Sequence, residues 1–153
     1  MKTIKVELTG DSELLMNNPI SMLDDKADVS GIKSYKIADL KKKADIKAYK
    51  LPSGELYVPA EAIKGSLIGA SSFRKIGKFT AKPIVAGGVF ISPQKIKLGT
   101  KKYEYDIRTG VNKQRGRIVV VRPKIPKWKI TFNLEFDETL IGDDLIIKQL
   151  LED

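Results

Sequence analysis

Cysteine and histidine are both absent from this 153-residue chain. Without cysteine there is no disulfide, no thiolate nucleophile and no cysteine-ligated metal, a composition that fits a reducing compartment. Without histidine the commonest general base and transition-metal ligand are missing, which excludes a zinc site, a serine–histidine hydrolase and a histidine-dependent ribonuclease. Any enzyme built on this chain must work with Asp, Glu, Lys, Tyr or a hard metal. Long apolar runs are also missing, so no membrane span is expected. The opening "MKTIKVELTG" alternates charged and apolar residues, unlike a signal peptide, and a cytoplasmic protein is expected. There is no Walker A, no GxGxxG, no catalytic serine motif, no internal repeat and no low-complexity segment. No cofactor is implied.

A hydrophobic fraction of 42% indicates a folded protein, and the length suggests a single domain over 1–153. The net charge is +9, and it is unevenly placed. From Gln94 to Lys129 there are twelve Lys or Arg and two acids, whereas the rest of the chain carries sixteen basic and seventeen acidic residues. The whole excess therefore lies in about a quarter of the sequence. A local basic block of this kind points to a polyanionic partner, the plainer alternative being a solvated lysine-rich surface.

Thr3 to Thr9 alternates, with Ile4, Val6 and Leu8 on one face, and predicts a half-buried strand. Residues 10–31 read as a long loop with a short apolar piece at Leu14–Met16. "KIADLKKKADIKAYK" spaces Ile37, Leu40, Ala44 and Ala48 as a modest amphipathic helix, and "YKLPSGELYVP" reads as a hairpin around Pro52-Ser53-Gly54. "YVPAEAIKGSLIGASSFRK" predicts a helix with Pro59 in its first turn and Ile63, Leu67 and Ala70 as its apolar stripe. "PIVAGGVFI" is expected to be a strand entered through glycines, "KIKLGTKKYEYDI" a hairpin, "RTGVNKQRGR" a flexible basic loop and "IVVVRP" a strand. "WKITFNLEFD" alternates Trp128, Ile130, Phe132, Leu134 and Phe136 inward. "ETLIGDDLIIKQLLED" closes as an amphipathic helix capped by Asp143 or Asp144. The order implies an α+β fold, an antiparallel sheet with packed helices. Its strand–helix–strand…strand–helix skeleton is that of a ferredoxin-like fold short of one final strand, with a basic hairpin insert.

Two glycines, Gly65 and Gly69, share one face of the predicted helix, and each costs about 1 kcal/mol against alanine in a helix interior. They serve either close packing of helix on sheet or an amide-rich surface lying against a nucleic-acid backbone, with Lys64 beside it for phosphate. Val58-Pro59, Ile63-Lys64-Gly65 and Leu67 resemble the isoleucine-proline-glycine-x-x-leucine-lysine-glycine-x-leucine-arginine pattern of type III CRISPR backbone subunits in the RAMP superfamily. Ile68 stands where that family has arginine, and the likeness covers about fourteen residues. The chain is also similar to small viral or phage proteins of that build, with "RPKIPKW" leading into a strand. The resemblance implies an RRM-like, RAMP-like fold with a basic insert from Lys95 to Arg117. It further implies an aspartate in the loop after the first strand that takes part in metal-dependent RNA cleavage. Asp24 and Asp25 occupy that position, but loop aspartates are ordinarily solvated turn residues, and the expectation is a non-enzyme.

The nucleic-acid-binding residues expected are Lys64, Gly65, Gly69, Lys101, Lys102, Tyr103, Tyr105, Arg108, Lys113, Arg115, Arg117 and Arg122. Arginine and lysine supply phosphate contacts. Tyr103 and Tyr105, two apart, have the spacing of a stacking platform or of a packed aromatic pair. Trp128 reads as core or rim packing. The function expected is binding of single-stranded RNA or DNA, with assembly of a homo-oligomer along the strand. The rival is a viral or accessory protein that mimics a CRISPR backbone subunit and binds effector subunits instead.

Overall fold

A computed structural model describes residues 1–22, 36–111 and 113–153. In chain order its strands are β1 (Lys2–Thr9), β2 (Leu14–Leu15), β3 (Tyr57–Pro59), β4 (Lys75–Ile76), β5 (Phe79–Thr80), β6 (Val89–Ser92), β7 (Lys95–Lys97), β8 (Glu104–Val111), β9 (Arg117–Ile125) and β10 (Lys129–Phe136). Its helices are α1 (Ile37–Ile46), α2 (Ala60–Ala70), α3 (Ala81–Gly88), α4 (Glu138–Ile141) and α5 (Asp144–Glu152). The protein is α+β, with small antiparallel sheets, and forms two compact units.

The first unit comprises Met1–Leu8, Val58–Lys97 and Ile130–Asp153. Its sheet has the order β1-β10-β6, and β10 pairs antiparallel with β6 in a register that sets Leu134 opposite Ile91. The expected alternation of β10 holds, since Ile130, Phe132, Leu134 and Phe136 are all buried while the residues between them are exposed. Helices α2, α3 and α5 bury Leu67, Val85 and Ile147. Asp143 caps α5, its carboxylate accepting the Leu145 N–H at 3.1 Å. Residues 83–91 depart from expectation: the glycines at 87 and 88 end helix α3 rather than open a strand, and only Val89–Ser92 is extended. The periodicity of so short an apolar run does not separate buried helix from buried strand.

The second unit comprises Thr9–Tyr57 and Leu98–Lys129. Its frame is the long hairpin β8–β9, in register from Glu104 opposite Lys124 to Val111 opposite Arg117, with β2 on the other side of β9. Helix α1 lays Leu40 and Ala44 on Val121 of β9, and the Lys47 ammonium donates to the Val121 carbonyl at 3.0 Å. Ile37 falls outside this stripe and is 65% exposed. A second cluster gathers Met16, Ala48, Leu56 and Ile125. The expected hairpin over Lys95–Ile107 does not form; β7 pairs with β3 instead, and β8 turns back on β9. The expected basic loop is likewise mostly strand, because Arg108–Val111 and Arg117 belong to the ladder and Arg115 takes a left-handed φ of 62° at the turn. An acid-free stretch with glycines says nothing against pairing when Val and Ile lie on both sides of it.

Trp128 closes the second cluster as rim packing. Its indole N–H donates to the Ser12 carbonyl at 2.9 Å, and its carbonyl accepts the Gly10 N–H at 3.0 Å. The backbone at Gly10 passes so close that a Cβ there would lie 2.1 Å from the indole ring. Gly10→Ala should therefore push Trp128 out of its seat and destabilise the protein by about 1–3 kcal/mol, the range for an overfilled site. Urea denaturation followed by Trp128 fluorescence checks this, and an unchanged midpoint would contradict it.

Candidate nucleic-acid interface

The helix that raised the glycine question runs from Ala60 to Ala70, with Pro59 at its N-cap position. Leu67 is buried, whereas Gly65 and Gly69 are both exposed. Among the described residues a Cβ at either would meet nothing within 4 Å. The close-packing reading is thereby overturned: the glycines do not let α2 approach its own sheet. They leave a bare strip of helix backbone on the surface. Lys64 lies beside it, its ammonium 5.2 Å above the ring of Phe90.

The glycine strip continues into a feature that the sequence reading missed. Gly65, Gly69 and Phe73 follow at four-residue spacing as α2 passes into the 3-10 turn Ser71–Phe73. The Ser71 hydroxyl donates to the Ile68 carbonyl at 2.7 Å at this transition. Phe73 is 95% exposed. Arg74, next to it, is turned the other way: its guanidinium holds the Asp153 carboxylate through Nη2–Oδ1 at 2.7 Å and through Nε, and Nη1 reaches Gln149 at 3.3 Å. The ion pair raises the Arg74 pKa and lowers that of Asp153. The hairpin β4–β5 follows, turning at Gly77 with φ +62° and setting Phe79, 72% exposed, opposite Ile76. Lys75 and Lys78 are exposed on the same hairpin. The signal was present as "FRKIGKFTAK", two phenylalanines interleaved with four cations.

The second unit carries the other candidates. The β8–β9 register assigns each side chain to a face, because residues directly opposite share one. Asp106 is opposite Arg122 and Glu104 opposite Lys124, so these four and Arg108 share one face. Arg108 Nε lies 2.8 Å from Asp106, and Lys124 lies 3.5 Å from Glu13 and 3.7 Å from Glu104. The Arg122 Nε is buried with no hydrogen-bond partner among the described residues. Lys113, Arg115 and Arg117 are exposed at the far end of the hairpin, and Lys101 and Lys102 are exposed before β8.

Tyr105 lies on the opposite face from Arg108, so the tyrosines and the arginine–carboxylate group do not converge. Tyr103 and Tyr105 are a packed pair, with centroids 5.6 Å apart at 71°. Both hydroxyls donate to the Asp45 carboxylate, the Tyr105 bond being 2.9 Å. Lys50 sits 5.0 Å from the Tyr103 ring and Lys41 5.3 Å from that of Tyr105. Asp24 and Asp25 lie outside the described residues. Among the described residues no group of three or more carboxylates is placed to hold a metal, and no helix is long and apolar enough to cross a membrane. The sequence matches no family model, and a search of curated proteins finds no match.

Two predictions follow from these environments. Gly65→Ala and Gly69→Ala should each leave the fold intact and stabilise it by up to about 1 kcal/mol, as in an exposed helix interior; a loss of stability on thermal melting would mean the strip is packed. Both tyrosines have pKa values raised to about 12, Tyr103 mainly by burial and Tyr105 mainly by its bond to Asp45. A phenol pKa higher in the folded than in the unfolded chain stabilises the fold at lower pH, and that contribution disappears as pH rises from about 10 through about 12. Stability should fall in that window, and Asp45→Asn should flatten the fall; phenolate absorbance and urea midpoints measured together test it.

Proposed function

We propose that the protein binds single-stranded nucleic acid, with RNA as the favoured form. The observation that carries this reading is the strip Gly65–Gly69–Phe73. Among the described residues, nothing packs on this bare helix backbone, and Phe73 and, on the adjoining hairpin, Phe79 are largely in water. Together they suit a sugar–phosphate backbone lying on the helix with unpaired bases stacked on Phe73 and Phe79. Lys64, Lys75 and Lys78 supply phosphate contacts around it. The exposed cations Lys113, Arg115 and Arg117 supply further, sequence-independent attraction.

The RAMP resemblance points the same way and rests on the same helix. The sheet order β1-β10-β6 supports it, since these are the first, third and second strands of a ferredoxin-like arrangement in which α2 and α5 are the two helices. In this reading the protein is a binding module. The mimic of an effector subunit is the alternative that remains if nucleic acid does not bind.

Titration of a fluorescent single-stranded RNA at several salt concentrations is the test. Phe73→Ala with Phe79→Ala should weaken binding about tenfold or more and leave the salt slope unchanged, because stacking releases no counterions. Changing Lys113, Arg115 and Arg117 together to Gln should reduce the slope by about 2, at roughly 0.7 per lost contact. Gly65→Leu should fold and bind poorly. Wild-type protein that does not bind at low salt would end the proposal.

A further inference from the structure

Among the described residues strand β1 is an edge of the first unit's sheet, paired with β10 on one side only. Along its outer side runs a groove of about 520 Å³ between β1 and α5, lined by every residue from Ile4 to Leu8 and by Leu145 and Leu151 of the helix. Val6 is buried and Ile4 and Leu8 half-buried on the helix side, while Leu145 is 55% exposed. Lys2 and Asp144, paired at 3.2 Å, tie the start of the strand to the start of the helix, so the groove has two fixed walls. An open edge with apolar side chains above it is a template for another strand.

Protein edges are commonly protected by charged side chains, which disfavour pairing with a second strand unless the charges meet complementary ones. This one carries Lys5 and Glu7, opposite charges two residues apart on the outer face. From Thr3 to Thr9 the sequence Thr-Ile-Lys-Val-Glu-Leu-Thr is symmetric about Val6 in residue character. Laid antiparallel against itself with Val6 opposite Val6, it sets Lys5 opposite Glu7, Ile4 opposite Leu8 and Thr3 opposite Thr9. Every apolar residue then meets an apolar one on the helix face, and both cross-strand charge pairs are attractive. A shift of one residue would turn the apolar residues to the other face.

The geometry points to a twofold-symmetric dimer in which β1 of one copy pairs antiparallel with β1 of a second, joining two three-stranded sheets into one of six strands. The axis passes by Val6. Because it runs perpendicular to the sheet, it places the two α5 helices on the same face, with Leu145 and Leu151 of each filling the groove beside the axis. Such an isologous contact closes on itself and leaves β6 as the outer edge of each half. The dimer is independent of the proposed nucleic-acid binding, since its contacts come from β1 and α5 rather than from the glycine strip or the basic hairpin.

The charge pattern permits a symmetric test on nucleic-acid-free protein by sedimentation velocity over a concentration series. Lys5→Glu places like charges opposite each other in both pairs, and so does Glu7→Lys; each should raise the dimer dissociation constant about tenfold to a hundredfold. The double variant restores opposite charges and should return it to within about threefold of wild type. An equimolar mixture of the two single variants should form heterodimers where neither alone dimerises, which also shows that both are folded. A wild-type protein that stays monomeric, single variants that dimerise like wild type, or a double variant and mixture that fail to recover would each overturn the proposal.

Discussion

The strict alternation of β10 is the constraint on which the first unit depends. Four of its side chains, Ile130, Phe132, Leu134 and Phe136, are at most 2% exposed. Burial on this scale contributes about 1.5–3 kcal/mol for each large apolar side chain. A one-residue slip would turn all four to the opposite face, so the registers of its neighbours are fixed with it. With β10 in the centre, β1 and β6 become the edges, and both surface features follow. On β6 the alternation that buries Val89 and Ile91 leaves Phe90 half in water, where Lys64 of α2 covers it. On β1 it leaves an open ladder beside α5.

The glycine strip is a different kind of feature, because among the described residues nothing packs against it. A glycine in a left-handed turn, such as Gly77, is explained by its backbone angle, and Gly10 is explained by the indole against it. Gly65 and Gly69 have neither explanation: they are helical, exposed and face open space. Folding would be better served by alanine at both positions. The adjoining Phe73 has the same character, an apolar ring 95% exposed, next to Arg74, whose guanidinium is turned to Asp153 instead. Features that lower stability without a structural return cluster where a chain meets a partner.

Much of this architecture was legible in the sequence where a single period dominated. The β1 and β10 alternations, the apolar stripe of α2 and the cap at Asp143 emerged because each signal is local. The failures share a cause. Whether residues 95–107 fold back on themselves depends on which strand offers a partner, and β3 and β9 outcompeted the local hairpin. Likewise the direction of the glycine face is set by which side of α2 carries Leu67 into the core, which spacing alone leaves open. Tyr103 and Tyr105 had the spacing of a platform or of a packed pair; Asp45, nearly sixty residues away, draws their hydroxyls together. Phe73 and Phe79 were passed over because single exposed aromatics have no periodic signature.

The distribution of charge completes the argument. The block from Gln94 to Lys129 holds the whole positive excess, but its cations are not equivalent. Its two acids, Glu104 and Asp106, stand on the same face as Arg108, Arg122 and Lys124, and they engage Arg108 and Lys124 directly. That face is nearly balanced, and exposed pairs of this kind add little to stability. Arg117 lies opposite Val111, five residue pairs beyond Asp106, and Lys113 and Arg115 lie farther still, so at roughly 3.4 Å per residue they stand more than a Debye length from it in physiological salt. The three exposed cations at the end of the β8–β9 hairpin therefore stand apart from the two acids of the block. The glycine strip and the exposed phenylalanines, Phe73 and Phe79, belong to the first unit. In the proposed function, attraction and recognition are thus supplied by different parts of the chain, the one dependent on salt and the other on the shape of a glycine-bare helix.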